Sequence, residues 1–322
     1  MAEQKRARRE AAAERAGRQA VEARHLAARL TRIGLEARRI AASVVQGAHG
    51  RRRPGVGESF WQFRPFVPGE AALLVDWRRS AREERLFVRE REWEGAQTFW
   101  LWADRSASME FKSHLAPVAK LDRALVLMFA VAEILVRNGE RVGLIGATRP
   151  SASRAIIERL TEAIISTGAG AHGDIPTNVL LDRRSEAVLI GDFLAPAPEI
   201  AAAIEPMARL GARGHLIMLA DPAEEVFPYA GQAMLSEDER GLRLRVGDAA
   251  AFGERYRDRL ARHRAAIAEM CRRLNWSFAL HRTDRAATEA LVSLAGRIAM
   301  ASREGVFTSA GTIAPAAQPG AA

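Results

Sequence analysis

A single cysteine, Cys271, in 322 residues leaves no means of forming an internal disulfide or a cysteine-cluster metal site. Aromatic residues make up only 6% of the chain and none precedes Phe60, so the first part of the protein offers no ring on which a nucleobase could stack. No apolar run approaches the roughly 18 residues that a membrane-spanning helix needs; the longest, Ala124 to Val136, is short and contains Glu133. Lys5, Arg6, Arg8 and Arg9 are followed by no apolar core, so no secretory signal is expected and the cytoplasm is the expected compartment. A Gly-x-x-x-x-Gly-Lys phosphate loop, a Gly-x-Ser-x-Gly nucleophile elbow and a His-Glu-x-x-His zinc pair are also missing. Autonomous ATP hydrolysis and serine hydrolysis therefore lack support.

What is present is unevenly distributed. The net charge of +9 lies entirely in residues 1–53, which hold 14 Lys plus Arg against 5 Glu, while residues 54–322 hold 34 of each sign. Ala, Arg and Glu dominate up to about Gln46 and favour helix. Leu26, Leu30, Ile33, Ala37, Ile40 and Val44 recur in steps of four and three, which places them on one stripe that must pack on something. Fewer than three heptads are covered, so docking on the body of the protein is expected rather than a long coiled coil. A basic helical arm over 1–53 suits nucleic acid, an anionic membrane face or an acidic protein; the absence of aromatics weighs towards a solvated helix.

Residues 54–96 change character. Short aromatic and β-branched runs ("SFWQFRPFV", "ALLVDW", "RLFVREREW") predict a small segment of antiparallel strands. From 97 to about 300, continuous apolar runs ("TFWLWA", "RVGLIGA", "AVLIGDF", "HLIMLA") alternate with amphipathic stretches at Lys120–Asn138 and Pro198–Leu210. Runs of that kind are strands buried on both faces of a parallel sheet, and the fold class is α/β, a doubly wound, mostly parallel sheet flanked by helices. A hairpin is predicted around "AMLSEDERGLRLRV" with Gly241 in the turn, then a long helix from Ala249 to Leu274, a strand "WSFALHR" and a helix near Ala286–Met300. Ala, Pro and Gly crowd the end of the chain, and residues 301–322 are expected to be a disordered tail.

Ligands of parallel sheets bind outside the carboxyl ends of the strands. Asp104 closes "TFWLWA" and Asp192 closes "AVLIG", so both acids should point to one edge. Alternation along Asp104-Arg105-Ser106-Ala107-Ser108 aims one carboxylate and two hydroxyls at a single point, and Asp192 adds a second carboxylate. Such an all-oxygen set suits Mg2+ or another hard divalent cation.

"DRSASM" after a buried strand, with Asp192 ending a later one, resembles the metal-ion-dependent adhesion site of von Willebrand factor A domains. Upstream, "GVGESFWQFRPFVPGEAALLVDWRRSAREERLFVREREWE" resembles the signature of the domain of unknown function 58 family, at Gly55, Gly57, Phe60, Arg64, Phe66, Pro68, Gly69, Asp76, Trp77, Ala81, Arg82, Val88, Arg89 and Glu90. "LADPAEEVFPYAG", "RYRDRLARHRAAI" and "LHRTDRAATEAL" resemble its C-terminal half. The resemblance implies a von Willebrand A-like domain preceded by a strand-rich segment and a partnership with a MoxR-type AAA+ ATPase. In that partnership the chain would be a non-enzymatic adaptor for assembling or activating client complexes. It further implies a threonine as the third metal motif, for which the candidate is Thr177 in "GAHGDIPTNVLL", with Asp174 or a water as substitute. The chain departs from the pattern in having Glu70-Ala71 where many relatives carry an Asp pair, Phe66 where a Tyr is commoner, and a shortened stretch before Asp192.

Competing readings of these residues stay open at this level. Asp104, Ser106 and Ser108 are also the residue types that cap helix N-termini. Asp76-Trp77 and Arg82 suit a structural turn. His281 and Asp284 fit a strand end followed by an acidic cap as well as acid–base chemistry, and Glu90, Glu92 and Glu94 suit a solvated strand face. The alternatives to the adaptor reading are a metal-dependent phosphoester hydrolase at the same edge and a nucleic-acid or anionic-surface binder acting through residues 1–53.

Overall fold

The computed structural model describes residues 21, 24–45, 60–67, 75–82, 85–91, 96–167, 174–176, 179, 181–183, 185–237 and 242–309, with side chains except at 60–64, 89–91, 236–237, 242 and 299–309. The chain divides into two compact units, one formed by 1–46 with 97–322 and the other by 47–96.

In the smaller unit, β1 (Phe60–Pro65) pairs antiparallel with β2 (Phe87–Arg91), as the aromatic and β-branched runs predict. Between them lies a short helix, α2 (Trp77–Ser80), capped by Asp76, whose carboxylate accepts from the Arg79 backbone N–H at 2.9 Å. The Ser80 hydroxyl donates to the Asp76 carbonyl and accepts from the Phe87 N–H. Those bonds give the "VDWRRSAR" block a structural role, while Trp77 and Arg82 are exposed. "ALLVDW" is described only from Val75 onward, where Val75 makes an isolated bridge to Val88.

The larger unit opens with α1, described over 24–45. The strands β3 (Thr98–Ala103), β4 (Arg141–Leu144), β5 (Ser185–Gly191), β6 (Arg213–Ala220) and β9 (Ser277–Arg282) form one all-parallel sheet in the order β4-β3-β5-β6-β9. Every residue of the central β5 is buried, because both faces of the sheet are covered. Val188, Ile190, Ile217 and Leu219 join a core with α1, α3 (Lys120–Arg137), α4 (Ile156–Thr167) and α8 (Ala287–Ser309). Ala187, Leu189, Leu216 and Met218 turn to the other face, onto α5 (Ala197–Ala208) and α7 (Ala249–Arg273), where Cys271 is buried. This is the doubly wound arrangement that the sequence predicts.

The stripe on α1 does dock on this body: Leu30, Ile33, Ala37 and Ala41 are fully buried, with Leu26, Ile40 and Val44 packed around them. Gly34 permits the approach, since a Cβ there would stand 2.9 Å from Ile157 of α4. After β6 come α6 (Pro222–Val226) and the expected hairpin of β7 (Ala233–Glu237) and β8 (Leu242–Val246); its turn, with Gly241, lies outside the described residues. The expected tail needs correction at its start. The last helix continues from Met300 to Ser309, because Ala301, Arg303 and Glu304 are good helix formers and no proline stands between Met300 and Pro315; residues 310–322 lie outside the described residues. Among the described residues no helix is long and apolar enough to cross a membrane.

Candidate functional site

Three neighbouring strands, β3, β5 and β6, end at the same edge of the sheet in aspartate: Asp104, Asp192 and Asp221. All three are buried. What distinguishes them is how their oxygens are used.

Asp104 is fully buried. Its N–H donates to the Ile190 carbonyl at 2.8 Å, which ties the strand end to β5. One carboxylate oxygen, Oδ1, accepts from the Ser106 N–H at 2.8 Å; the other, Oδ2, is buried with no hydrogen-bond partner. Glycine at position 191 makes room for this carboxylate, because a Cβ there would come within 2.8 Å of the Asp104 Cβ and 3.4 Å of Oδ2. Burial first, and then the charge of Asp192, raise the Asp104 pKa to about 7 against the opposing bonds from Ser106; Asp174 adds to the rise. Ser106 stands at the N-cap of a 3-10 turn (Ala107–Glu110), yet its hydroxyl makes no capping bond. It lies instead 3.1 Å from the Ser108 hydroxyl, which donates to Asp192 Oδ2 at 2.7 Å. The capping reading therefore fails for the Ser106 side chain, and Asp104, Ser106, Ser108 and Asp192 converge as the strand-end argument requires.

Sequence reasoning did not identify Lys120. It is 1% exposed, and its ammonium bonds Asp192 Oδ2 at 2.9 Å and Glu224 Oε1 at 2.6 Å. Burial works against a charged amine here, but the two carboxylates outweigh it and hold the Lys120 pKa above its ordinary value. Glu224 in turn accepts from the Asp221 N–H. Asp221 uses both oxygens on backbone donors, Oδ1 from Ala223 and Oδ2 from Ser113 in the loop after β3. Two signals were available. Lysine in the first turn of α3 opposes the helix dipole and calls for a nearby acid, and Asp221 followed three residues later by Glu224 is a capping-box spacing, which the structure forms.

The loop between is fixed from several sides. Arg105 is buried beneath it and donates to Thr167 Oγ1 and the Ile164 carbonyl at the end of α4. Arg29 of α1 grips Glu110 with two bonds, at 2.8 and 2.9 Å, and Asp122 with a third at 2.6 Å. It thereby ties the N-terminal helix to the serine loop and to the first turn of α3. Immediately after Asp192, Phe193 takes a left-handed backbone (φ 46°), rarely adopted by a bulky residue. Its ring packs against Trp102, and its carbonyl accepts from His263 of α7 at 2.7 Å.

The donor set suits a hard divalent cation. Oxygens bound side by side to a magnesium ion lie about 3 Å apart, which matches the separation of the two serine hydroxyls, and Asp104 Oδ2 is a buried acceptor still lacking a donor. Lys120 shares Asp192, which lowers the net negative charge offered there. Thr177 lies outside the described residues, while Asp174 is described and close enough to influence Asp104. Among the described residues no three of His, Cys, Asp and Glu gather as metal ligands, so the hydroxyls are needed. His281 is not part of this group. Its pKa is lowered to about 4, chiefly by burial and then by Arg123, and Asp284 is paired with Arg282.

Comparison with known proteins finds relatives of the chain and a family that it matches. The uncharacterized proteins Rv1480 of Mycobacterium tuberculosis and Mb1516 of Mycobacterium bovis are each 26% identical over 277 residues, which is 81% of this chain and 86% of theirs. A solved structure titled as the conserved hypothetical protein BatB from Bacteroides thetaiotaomicron aligns with 64% of this chain and 100% of its own, at 15% identity and a TM-score of 0.35. Residues 62–266 match the family described as "Protein of unknown function DUF58", and the chain belongs to that family.

Proposed function

We propose that the chain is a non-enzymatic, metal-dependent adaptor that binds a carboxylate of a partner protein at the Asp104 edge. One observation carries this reading: Asp104 Oδ2 is buried without a donor beside two hydroxyls that cap nothing. An orphaned buried carboxylate oxygen is costly and is retained where something else satisfies it. Ser106 and Ser108 are the direct ligands, and Asp104 and Asp192 act largely through water. A bound cation would supply an electrophilic position for an incoming carboxylate. The chain's own contribution is to hold these oxygens in place, through Gly191, Arg105 and Lys120, before anything binds. The partner in this reading is a MoxR-type AAA+ ATPase, with the adaptor serving the assembly or activation of client complexes, as the sequence resemblance implies.

Calorimetric titration of Mg2+ into the wild type and Asp104→Ala tests the metal step: binding only in the wild type is expected, and identical non-binding in both overturns it. Co-purification with a MoxR-type ATPase, with and without Mg2+, tests the partner. Of the basic-arm alternative's residues, Arg29, Arg32 and Arg38 in the described part of α1 pair with Glu110, Asp122 and Glu158 of the same unit and so are not free for phosphates.

A further inference from the structure

The two edges of the large sheet are treated differently. At one, the outer side of β4 is closed by a bridge in which Val142 and Ser151 exchange both backbone bonds at 2.9 Å. At the other, no strand pairs with the outer side of β9 among the described residues. The Thr283 N–H bonds to the Ala220 carbonyl, and Ala220 is in register with Arg282. By the alternation of a parallel ladder, the odd residues of β9 then bond β6, and Phe278, Leu280 and Arg282 turn their N–H groups outward. Leu280 is 42% exposed. An edge of this kind is a template for a further strand unless it is covered.

Alongside it runs a trough of about 240 Å³ between β9 and the flank of α8. Arg285, Glu289, Ser293 and Arg297 line it at intervals of four residues, all exposed. Glu289, Ser293 and Arg297 repeat every 6 Å or so along α8, close to the roughly 6.6 Å between alternate side chains of a strand, and Arg285 stands in the turn just before the helix. The charges are not all committed. Arg282 is held by Asp284, and Glu225 by Arg264 and Arg282, whereas Arg285 and Arg297 make no side-chain ion pair among the described residues. We propose that β9 and α8 form a docking trough for an extended segment of a partner protein. The segment adds as a strand to β9 and sets acidic residues against Arg285 and Arg297, with a basic one against Glu289. Main-chain bonds supply affinity and the α8 row supplies specificity.

The test uses the full chain and two labelled peptides, Asp-Val-Lys-Val-Thr-Val-Asp and its charge-swapped form Lys-Val-Asp-Val-Thr-Val-Lys, read by fluorescence anisotropy. Expected is binding of the first at least about tenfold tighter than the second, a difference of about 1.4 kcal/mol. The double variant Arg285→Glu, Arg297→Glu should reverse the preference, and Leu280→Pro, which removes an outward N–H and no bond to β6, should weaken both peptides. Equal binding of the two peptides, or an unchanged preference in the arginine variant, overturns the proposal even if Leu280→Pro fails to fold. So does peptide binding that appears only on deleting residues 310–322, which would make the chain's own tail the occupant. Concentration-dependent dimerisation that the first peptide cannot displace would make a second copy the occupant and overturn it too.

Discussion

Asp104 and Asp221 close strands of the same sheet at the same edge, each after a run of apolar residues, and in the sequence they look alike. In the fold they do opposite things. Asp221 spends both oxygens on backbone donors and completes a capping box with Glu224. Asp104 spends one oxygen and leaves the other buried without a donor. Asp192, between them, is shared by Ser108 and Lys120. A strand-end aspartate is thus a cap or a site according to what remains unsatisfied once the backbone has been served, and the residue type alone does not decide it.

The largest expected effect comes from Lys120, which links Asp192 to Glu224, the capping-box partner of Asp221. Lys120→Met would strand the buried Asp192 and the half-buried Glu224 without their cation, and losing one partner of a buried pair costs about 3–5 kcal/mol. A fall of that size in urea unfolding is expected without Mg2+, and a smaller fall with it, since the metal edge is then more negative. A loss unaffected by Mg2+ would separate Lys120 from the site. Next, Asp221→Ala orphans the Ser113 and Ala223 N–H groups and should cost about 2–3 kcal/mol, again by urea unfolding and with no dependence on Mg2+.

Asp104→Asn should act in the opposite direction. It removes a buried charge lacking a full set of partners, so the metal-free protein should gain about 1–2 kcal/mol, while Mg2+ binding is lost. The pH dependence follows from the same residue. Its folded pKa of about 7 stands above the ordinary carboxylate value of 3.8, so its favourable contribution is complete below about pH 4 and is lost as pH rises towards 7. His281, lowered from 6.5 to about 4, has the reverse sense, costing stability as pH falls across nearly the same window. Unfolding midpoints at pH 5 and pH 7.5 in chelator should therefore be compared as wild type minus Asp104→Asn, where the His281 contribution cancels. The variant's advantage should be larger at pH 7.5. An advantage that is equal or larger at pH 5 would mean that Asp104 does not titrate there.

The large sheet was legible because β3, β5 and β6 are short continuous apolar runs alternating with amphipathic helices, the pattern of doubly covered parallel strands. The convergence of Asp104, Ser106, Ser108 and Asp192 was legible for the same reason, since strand ends share an edge. The helix α4 went unread, although Ile156, Ile157, Leu160 and Ile164 carry a helical spacing. It lay inside a long stretch between apparent strands where no capping signal stood out. Lys120 was hidden more deeply. Its partners Asp192 and Glu224 lie 72 and 104 residues away, a separation that no local pattern records. Gly191 was likewise invisible as a site residue, because its reason is a neighbour on another strand.

Arg29 offers the finest test of how the unsatisfied end is kept in order. It sits on α1, outside the sheet, yet its guanidinium holds Glu110 of the serine loop and Asp122 of α3. The group is part-exposed, at 29%, so solvent screens these pairs and Arg29→Ala should cost only about 1 kcal/mol. Asp221 should sense the change less, since one of its backbone donors, Ala223, lies on α6, and the other, Ser113, stands three residues beyond Glu110. The serine loop should sense it more, because Glu110 is the last residue of its 3-10 turn and loses its outer anchor. Calorimetry should then show weaker Mg2+ binding in Arg29→Ala, with the unfolding cost no larger than that of an ordinary surface pair. If the cost is as expected but metal binding is unchanged, α1 stabilises the fold alone, and the serine loop is held in place by Arg105 and the Asp104 backbone without help from the N-terminal helix.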